Sequence, residues 1–330
     1  MLTTAGRIAL LERLGHYMQG QDEAWETAQL RAVQANGWFT PGHITQAIRS
    51  IDSQFLQADA LKAWIAPYPV TTAPKKVGIV MAGNIPLVGF HDFLCGFMSG
   101  HHLVLKLSTK DEVLLKHLLQ KLTEWEPAVA EQVTVADNLK GCDAYIATGS
   151  NNTARYFEQY FGKYPHIIRR NRTSVAVLDG SETEEELGRL ADDIFTYFGL
   201  GCRNVTQVCV PQDYDMPRLM DACNKYADMI HHHKYKNNYD YYLAIYLLNR
   251  VPYLSNDSLL MVENALPFSA VSVLHYRRYD DKNALLQELG TSEDIQCIVG
   301  HGQTPFGAAQ SPSLSDYADG VDTMAFLAGL

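Results

Sequence analysis

The 330-residue chain has no apolar run approaching the ~20 residues that a membrane-spanning helix requires, so no span is expected. It also lacks an N-terminal charged region followed by an apolar core, which makes a cytoplasmic location the expectation. There is no basic stripe. With 37 acidic against 27 basic residues and a formal charge of -10, the chain does not read as a nucleic-acid binder. No two of the six cysteines, at 95, 142, 202, 209, 223 and 297, form a CxxC pair. Such a scattered set suits a reducing compartment and offers neither a disulfide framework nor a zinc knuckle, so no metal is expected. Internal repeats and low-complexity tracts are absent. So is a G-x-G-x-x-G after the strand-like run at 77–81, where a conventional dinucleotide-binding fold carries it.

What is present describes an α/β enzyme. A hydrophobic share of 47% with 19% charged residues is enough to fill the cores of two ordinary domains. The first 66 residues read as helices: Ile8, Leu11 and Leu14 recur at helical spacing, as do Ile44, Ile48, Ile51 and Phe55. Thr40-Pro41 supplies a capping hydroxyl and a proline at the first helical position, and Asn36-Gly37 closes the helix before it. From Val77 onward β-rich runs at 77–82, 102–107, 132–136 and 143–147 alternate with helical patterns at 87–99, 110–124 and 151–161. That alternation predicts parallel strands with crossover helices in a Rossmann-like layer. Further strand candidates at 174–179, 206–211, 271–276 and 295–299 predict a second α/β unit. Boundaries are accordingly expected at 1–172 for the helices and the first α/β layer, 173–301 for the second α/β unit, and 302–330 for an extended Gly-, Pro-, Ser- and Ala-rich tail.

The chemistry points to Phe198-Gly199-Leu200-Gly201-Cys202-Arg203-Asn204-Val205. A cysteine follows a glycine at the end of a helical pattern and precedes a strand-like run. Glycines at 199 and 201 remove β-carbons that would crowd an incoming carbonyl group and open backbone conformations closed to other residues. A Cys202 thiolate presented in this way attacks an acyl carbon while its own backbone N–H faces the oxyanion. Read locally, the same pattern also fits a buried, inert thiol.

The segment resembles the active-cysteine region of the aldehyde dehydrogenase superfamily, and further resemblances follow in the order that superfamily requires, from about residue 75 to 300. Val77-Gly78-Ile79-Val80-Met81-Ala82-Gly83-Asn84-Ile85-Pro86 looks like the first cofactor-domain strand and its Asn-x-Pro turn, which implies that Asn84 is the second oxyanion donor. Leu103-Val104-Leu105-Lys106 resembles the next strand, ending in the lysine that meets the adenosine ribose or its 2′-phosphate. Ala147-Thr148-Gly149-Ser150 resembles the turn beside the pyrophosphate, and Glu263-Asn264-Ala265-Leu266-Pro267-Phe268 the loop whose glutamate holds the nicotinamide ribose. The superfamily binds its cofactor without the glycine fingerprint, and a glycine-serine turn at a helix N-terminus still offers N–H groups to a phosphate. Common members are more than a hundred residues longer. Within the superfamily the chain is most similar to the acyl-CoA reductases related to the fatty acid reductase of bacterial bioluminescence (LuxC-like).

Hydrolytic relatives carry a glutamate just before the strand that opens the catalytic domain, where it activates the water that cleaves the acyl-enzyme. Here that stretch reads Ile168-Arg169-Arg170-Asn171-Arg172-Thr173-Ser174, without a carboxylate. Water attack on a Cys202 thioester then lacks a general base, which favours thioester exchange and reduction. The resemblance therefore implies an NADPH- or NADH-dependent reductase that draws its acyl group from acyl-CoA or an acyl donor protein. It implies a homo-oligomer as well, the tail crossing to the cofactor domain or to a partner subunit. A hydrolytic aldehyde dehydrogenase and a catalytically silent scaffold remain as alternatives. His231-His232-His233 reads as a solvated helix end, since adjacent helical residues point about 100° apart. Tyr235, Tyr239, Tyr241 and Tyr242 read as packing.

Overall fold

The computed structural model describes residues 2–330, which form two compact units. One comprises the chain up to Asn171 together with Ser311–Leu330; the other is Arg172–Gln310.

The first unit begins with α1 (Thr4–Gln19), α2 (Glu23–Ala35), α3 (Pro41–Phe55) and α4 (Ala58–Ile65). The Thr3, Asp22 and Thr40 side chains accept from first-turn amides of α1, α2 and α3, and Pro41 occupies the start of α3. Their apolar faces, including Leu11, Leu14, Ile44 and Ile48, share one core with Ile79, Leu105 and Ile146 of the sheet. That sheet holds β1 (Lys76–Val80), β2 (His102–Lys106), β3 (Val133–Val135), β4 (Ala144–Thr148) and β5 (His166–Arg169), ordered β3-β2-β1-β4-β5 with every pairing parallel. The central runs Val77–Ile79, Leu103–Leu105 and Ala144–Ala147 are buried on both faces, which is why they read as continuous apolar stretches. Crossovers are made by α5 (Phe90–Ser99) after β1, by α6 (Val113–Trp125) and the short α7 (Ala128–Gln132) after β2, and by α8 (Asn151–Phe161) after β4.

The second unit carries β6 (Thr173–Val177), β7 (Val205–Pro211), β8 (Leu254–Ser255), β9 (Leu260–Glu263), β10 (Val273–Tyr279) and β11 (Ile295–Gly300), ordered β11-β6-β7-β10-β9-β8. Only the β8–β9 pair is antiparallel. Helices α9 (Glu184–Phe195), α10 (Met216–Cys223), α11 (His233–Asn249) and α12 (Lys282–Gly290) complete it. The histidine run lies at helix ends, as expected: His231 closes a short 3-10 helix, His231 and His233 are exposed, and His232 is the N-cap of α11, accepting from the Tyr235 amide.

The tail departs from an extended segment. Thr323–Ala328 forms α13, which packs on α5. Arg169 at the end of β5 donates to the Asp92 carboxylate of α5 and, at 2.8 Å, to the Thr323 hydroxyl. The Tyr317 hydroxyl accepts from Trp64 Nε1 at 2.9 Å and lies 2.8 Å from the Tyr68 hydroxyl. His101 accepts the Lys75 amide at Nδ1, so its Nε2–H donates to the Leu327 carbonyl at 2.9 Å.

Candidate active site

In the first unit the strand order reverses between β1 and β4. Open α/β sheets bind ligands outside the carboxyl ends of their strands at such a switch point. Four of the residues singled out above sit at or just beyond those ends: Lys106 closes β2, Thr148 closes β4, Gly149 follows it, and Ser150 caps α8. Ser150 Oγ accepts the Thr153 amide at 3.3 Å. Gly149 has no room for a side chain, since a Cβ there would stand 2.9 Å from the Phe157 ring and 3.1 Å from Thr153. The bare glycine thus lets backbone approach closely at the N-terminus of α8, where partial positive charge favours an anion.

Asn84 lies exposed in the loop after β1. Two features hold that loop. A Cβ at Gly83 would fall 2.5 Å from Ser108 Oγ, so only glycine lets the loop pass the end of β2 this closely. Asp111, 8% exposed, accepts the amides of Leu87 and Val88, the former in the left-handed region at φ 56°. Burial pushes the Asp111 carboxyl well above the ordinary carboxylate range, and its Oδ1 has no partner.

In the second unit Cys202 sits in a turn immediately before β7. Tyr197, Phe198 and Gly199 are all left-handed, at φ 57°, 57° and 74°. For the two aromatic residues this costs about 1–2 kcal/mol each. Asn204, fully buried, organises the turn: its Oδ1 accepts the Gly201 amide at 2.8 Å, and Nδ2 donates to the carbonyls of Asp193, Ile194 and Thr196 at 3.0, 3.3 and 2.8 Å. Stripping a partner from such a buried group costs about 1–3 kcal/mol, so the Asn204 contacts are enough to offset the strained backbone. On the other side the buried Ser174 hydroxyl donates to the Cys202 carbonyl at 3.1 Å and accepts the Cys297 amide at 3.2 Å.

Cys202 is the exposed member of the six cysteines. The Cys95 and Cys142 thiols are buried, and burial raises both. Cys209, two residues into the interior of β7 from Gln207, is buried with its thiol pushed up to about 12, as is Cys223. The buried surroundings of the inert-thiol alternative are thus those of Cys209 and not of Cys202.

Glu263 is exposed at the end of β9. Its following loop is pinned from β7 and β10: Gln207 Nε2 donates to the carbonyls of Asn264 and Leu266 at 2.9 and 3.1 Å, and His275 Nδ1 donates to that of Leu266 at 2.8 Å. Asn84, Lys106 and Thr148–Ser150 therefore gather on the first unit, Cys202 and Glu263 on the second. Asn204, Ser174, Asp111 and Gln207 are the supporting residues that the sequence reading missed. Their one visible signal is a polar side chain placed beside an apolar strand.

A model of the family described as Acyl-CoA reductase (LuxC) matches residues 15–223, which is more than half of the chain. The chain belongs to the acyl-CoA reductase (LuxC) family. Among solved structures it is similar to aldehyde dehydrogenase 21 from Physcomitrella patens in complex with the reaction product succinate. That match has a TM-score of 0.67 at 12% identity and covers 91% of this chain and 74% of the other. It is also similar to the NAD+ complex of aldehyde dehydrogenase from Bacillus cereus, with a TM-score of 0.63, 14% identity, and 88% and 70% of the two chains covered. The NAD+ complex of Mycobacterium tuberculosis aldehyde dehydrogenase matches at a TM-score of 0.63 and 12% identity, over 86% of this chain and 70% of that one. No curated protein matches. The expected fold class, an aldehyde-dehydrogenase-like α/β chain in shortened form, is borne out. Family and fold together support an aldehyde-related oxidoreductase. No helix among the described residues is long and apolar enough to cross a membrane.

Two titratable groups steady the helix that leads into the reductase-family chain's cysteine turn. His301 Nε2 meets Glu186 at 3.1 Å and its Nδ1 meets Asp179 at 3.3 Å, and these two carboxylates raise the imidazole. At the far end of α9, Asp193 accepts the amides of Gly307 and Ala309 at 2.6 and 3.0 Å, yet burial lifts its carboxyl to about 6 from an ordinary 3.8. Between those two values the folded chain holds a proton that the unfolded chain has released. This contribution to stability is complete below pH 3.8 and fades as pH rises through 6. Relative to Asp193→Asn, the wild type is expected to lose about 3 kcal/mol across that window, most of it between pH 4 and 7. Urea midpoints of the two proteins measure it, and parallel pH profiles would return Asp193 to an ordinary carboxylate.

Proposed function

We propose that the chain reduces an activated acyl thioester, such as an acyl-CoA, to the aldehyde through a Cys202 acyl-enzyme, with NADPH or NADH as reductant. The observation that carries this reading is the exposed Cys202 on a backbone fixed by Asn204 and Ser174. In the proposed reaction the Cys202 thiolate attacks the thioester carbonyl, and Asn84 Nδ2–H and the Cys202 N–H donate to the resulting oxyanion. Collapse expels the departing thiol, which takes up a proton, and leaves the acyl group on sulfur. Lys106, Thr148, Gly149, Ser150 and Glu263 would hold the dinucleotide. The side-chain-free approach at Gly149 and the α8 N-terminus fit its pyrophosphate. When bound, the reduced nicotinamide supplies the hydride. Breaking the C–S bond then frees the aldehyde and restores the thiolate. The unit Arg172–Gln310 is the proposed catalytic part, and a homo-oligomer in the cytoplasm the proposed setting.

What distinguishes a reductase from a hydrolase is the fate of the acyl-enzyme. The stretch Ile168–Ser174, which begins inside β5, contributes only arginines as charged residues; Arg169 engages Asp92, and Arg170 pairs with Glu158. Without reduced cofactor the thioester on Cys202 is therefore expected to outlast many turnover times. Free CoA should discharge it to acyl-CoA and NADPH to aldehyde, both followed by intact-chain mass spectrometry. Spontaneous release of free acid as fast as reduction would favour the hydrolytic enzyme. Failure to bind NADPH or NADH at all would favour the scaffold.

A further inference from the structure

The first unit contains a cavity of about 230 Å³ that none of these roles uses, lined by Thr4, Arg7, Tyr68, Met98, Ser99 and Met324 among others. Arg7, on α1, is 6% exposed. Its Nη1 donates to the Leu2 carbonyl at 2.9 Å and its Nη2 to the Thr4 hydroxyl at 3.3 Å, while Nε is buried without an acceptor. No carboxylate of the described residues pairs with the guanidinium, and burial works against its charge. An arginine nevertheless stays protonated. The site is shaped around it: a Cβ at Gly100, which ends α5 at φ 84°, would stand 3.2 Å from Nη1 and 3.3 Å from Nη2. The partial negative charge at the end of α5 offsets only about half of the cation. A largely buried full charge on the lining of an open volume lacks a counter-ion.

We propose that this cavity binds a monocarboxylate carrying a short aliphatic chain. One uncompensated cation calls for one negative charge, because a dianion would leave the opposite excess in a poorly solvated space. The methionines and Tyr68 suit methylene groups, and Thr4 and Ser99 are among the lining residues. The volume falls below the roughly 300–1,000 Å³ of pockets that take drug-sized ligands, so the chain is short. Gly100 precedes β2 whereas Lys106 ends it, so the cavity lies near the opposite, N-terminal end of that strand, about 13 Å of strand away from Lys106. It is a second site and not an arm of the first.

Calorimetric titration of the full chain with hexanoate, hexan-1-ol and inorganic phosphate tests this. Hexanoate should bind once per chain, about tenfold or more tighter than the alcohol, since a charge-assisted hydrogen bond separates them. Arg7→Met, which removes a buried unpaired charge at similar length, should erase that preference. Val70→Trp, at a position 74% exposed on the cavity wall, should weaken hexanoate without disturbing the core. Cys202→Ala should leave hexanoate binding unchanged. Equal binding of acid and alcohol, undiminished preference in Arg7→Met, phosphate binding as tight as hexanoate, or loss of binding in Cys202→Ala would each overturn the proposal.

Discussion

Cys202→Ala is expected to abolish both acyl-enzyme formation and aldehyde production while leaving dinucleotide affinity unchanged. The substitution removes a sulfur from an exposed position, and the contacts that hold the turn engage main-chain atoms: Asn204 binds the Gly201 amide and Ser174 the Cys202 carbonyl. The turn should therefore keep its shape. Cys209 cannot take over, because it is buried in β7 and its thiol, pushed up to about 12, is essentially un-ionised at neutral pH. Incubation with acyl-labelled CoA followed by denaturing mass spectrometry reads the outcome. Label that persists on the variant, or label on Cys209 in the wild type, would end the assignment.

The second large effect is expected at Asn84. Truncation to alanine should slow acylation about 10²–10³-fold, the usual loss for one oxyanion donor, with cofactor binding unaltered. The loop backbone is held by Asp111 through Leu87 and Val88 and by the close approach at Gly83, so the variant should lose a donor without losing the loop. Pre-steady-state release of CoA gives the rate directly. An unchanged acylation rate would reduce Asn84 to a turn residue.

Much of the architecture is legible from the chain because doubly buried parallel strands are written as uninterrupted apolar runs, as at Val77–Val80 and Leu103–Leu105. The cysteine turn is legible because two glycines, Gly199 and Gly201, lead into the thiol. Short elements escape. β5 contributes only Ile167 and Ile168 between His166 and Arg169, and β9 is four residues long. The helix at Thr323–Ala328 hides in a small-residue tail, its start set by Asp322, whose carboxylate accepts the Ala325 amide. Supporting polar residues escape for a different reason. Asn204 bonds to carbonyls 8 to 11 residues upstream, and that closure exists only once the helix and strand have met. Asp111 lies inside the helical pattern at 110–124, and nothing local betrays that Leu87 and Val88 will aim their amides at it. The burial of Arg7 has no local signal either, because its surroundings include α5 and residues more than three hundred positions away.

The return of the last twenty residues to the first unit sets an order of events during synthesis. Arg172–Gln310 is one contiguous stretch, so every strand of its sheet is available before the chain is finished. The first unit, although translated earlier, must wait: Arg169 lacks Thr323, His101 lacks the Leu327 carbonyl, and Trp64 lacks Tyr317 until the final segment has been made. At about 5–20 residues per second, the ribosome leaves α5 without its covering helix for many seconds. The N-terminal half thus matures last, and a chain truncated near Gln310 would carry an exposed apolar surface of the kind chaperones hold.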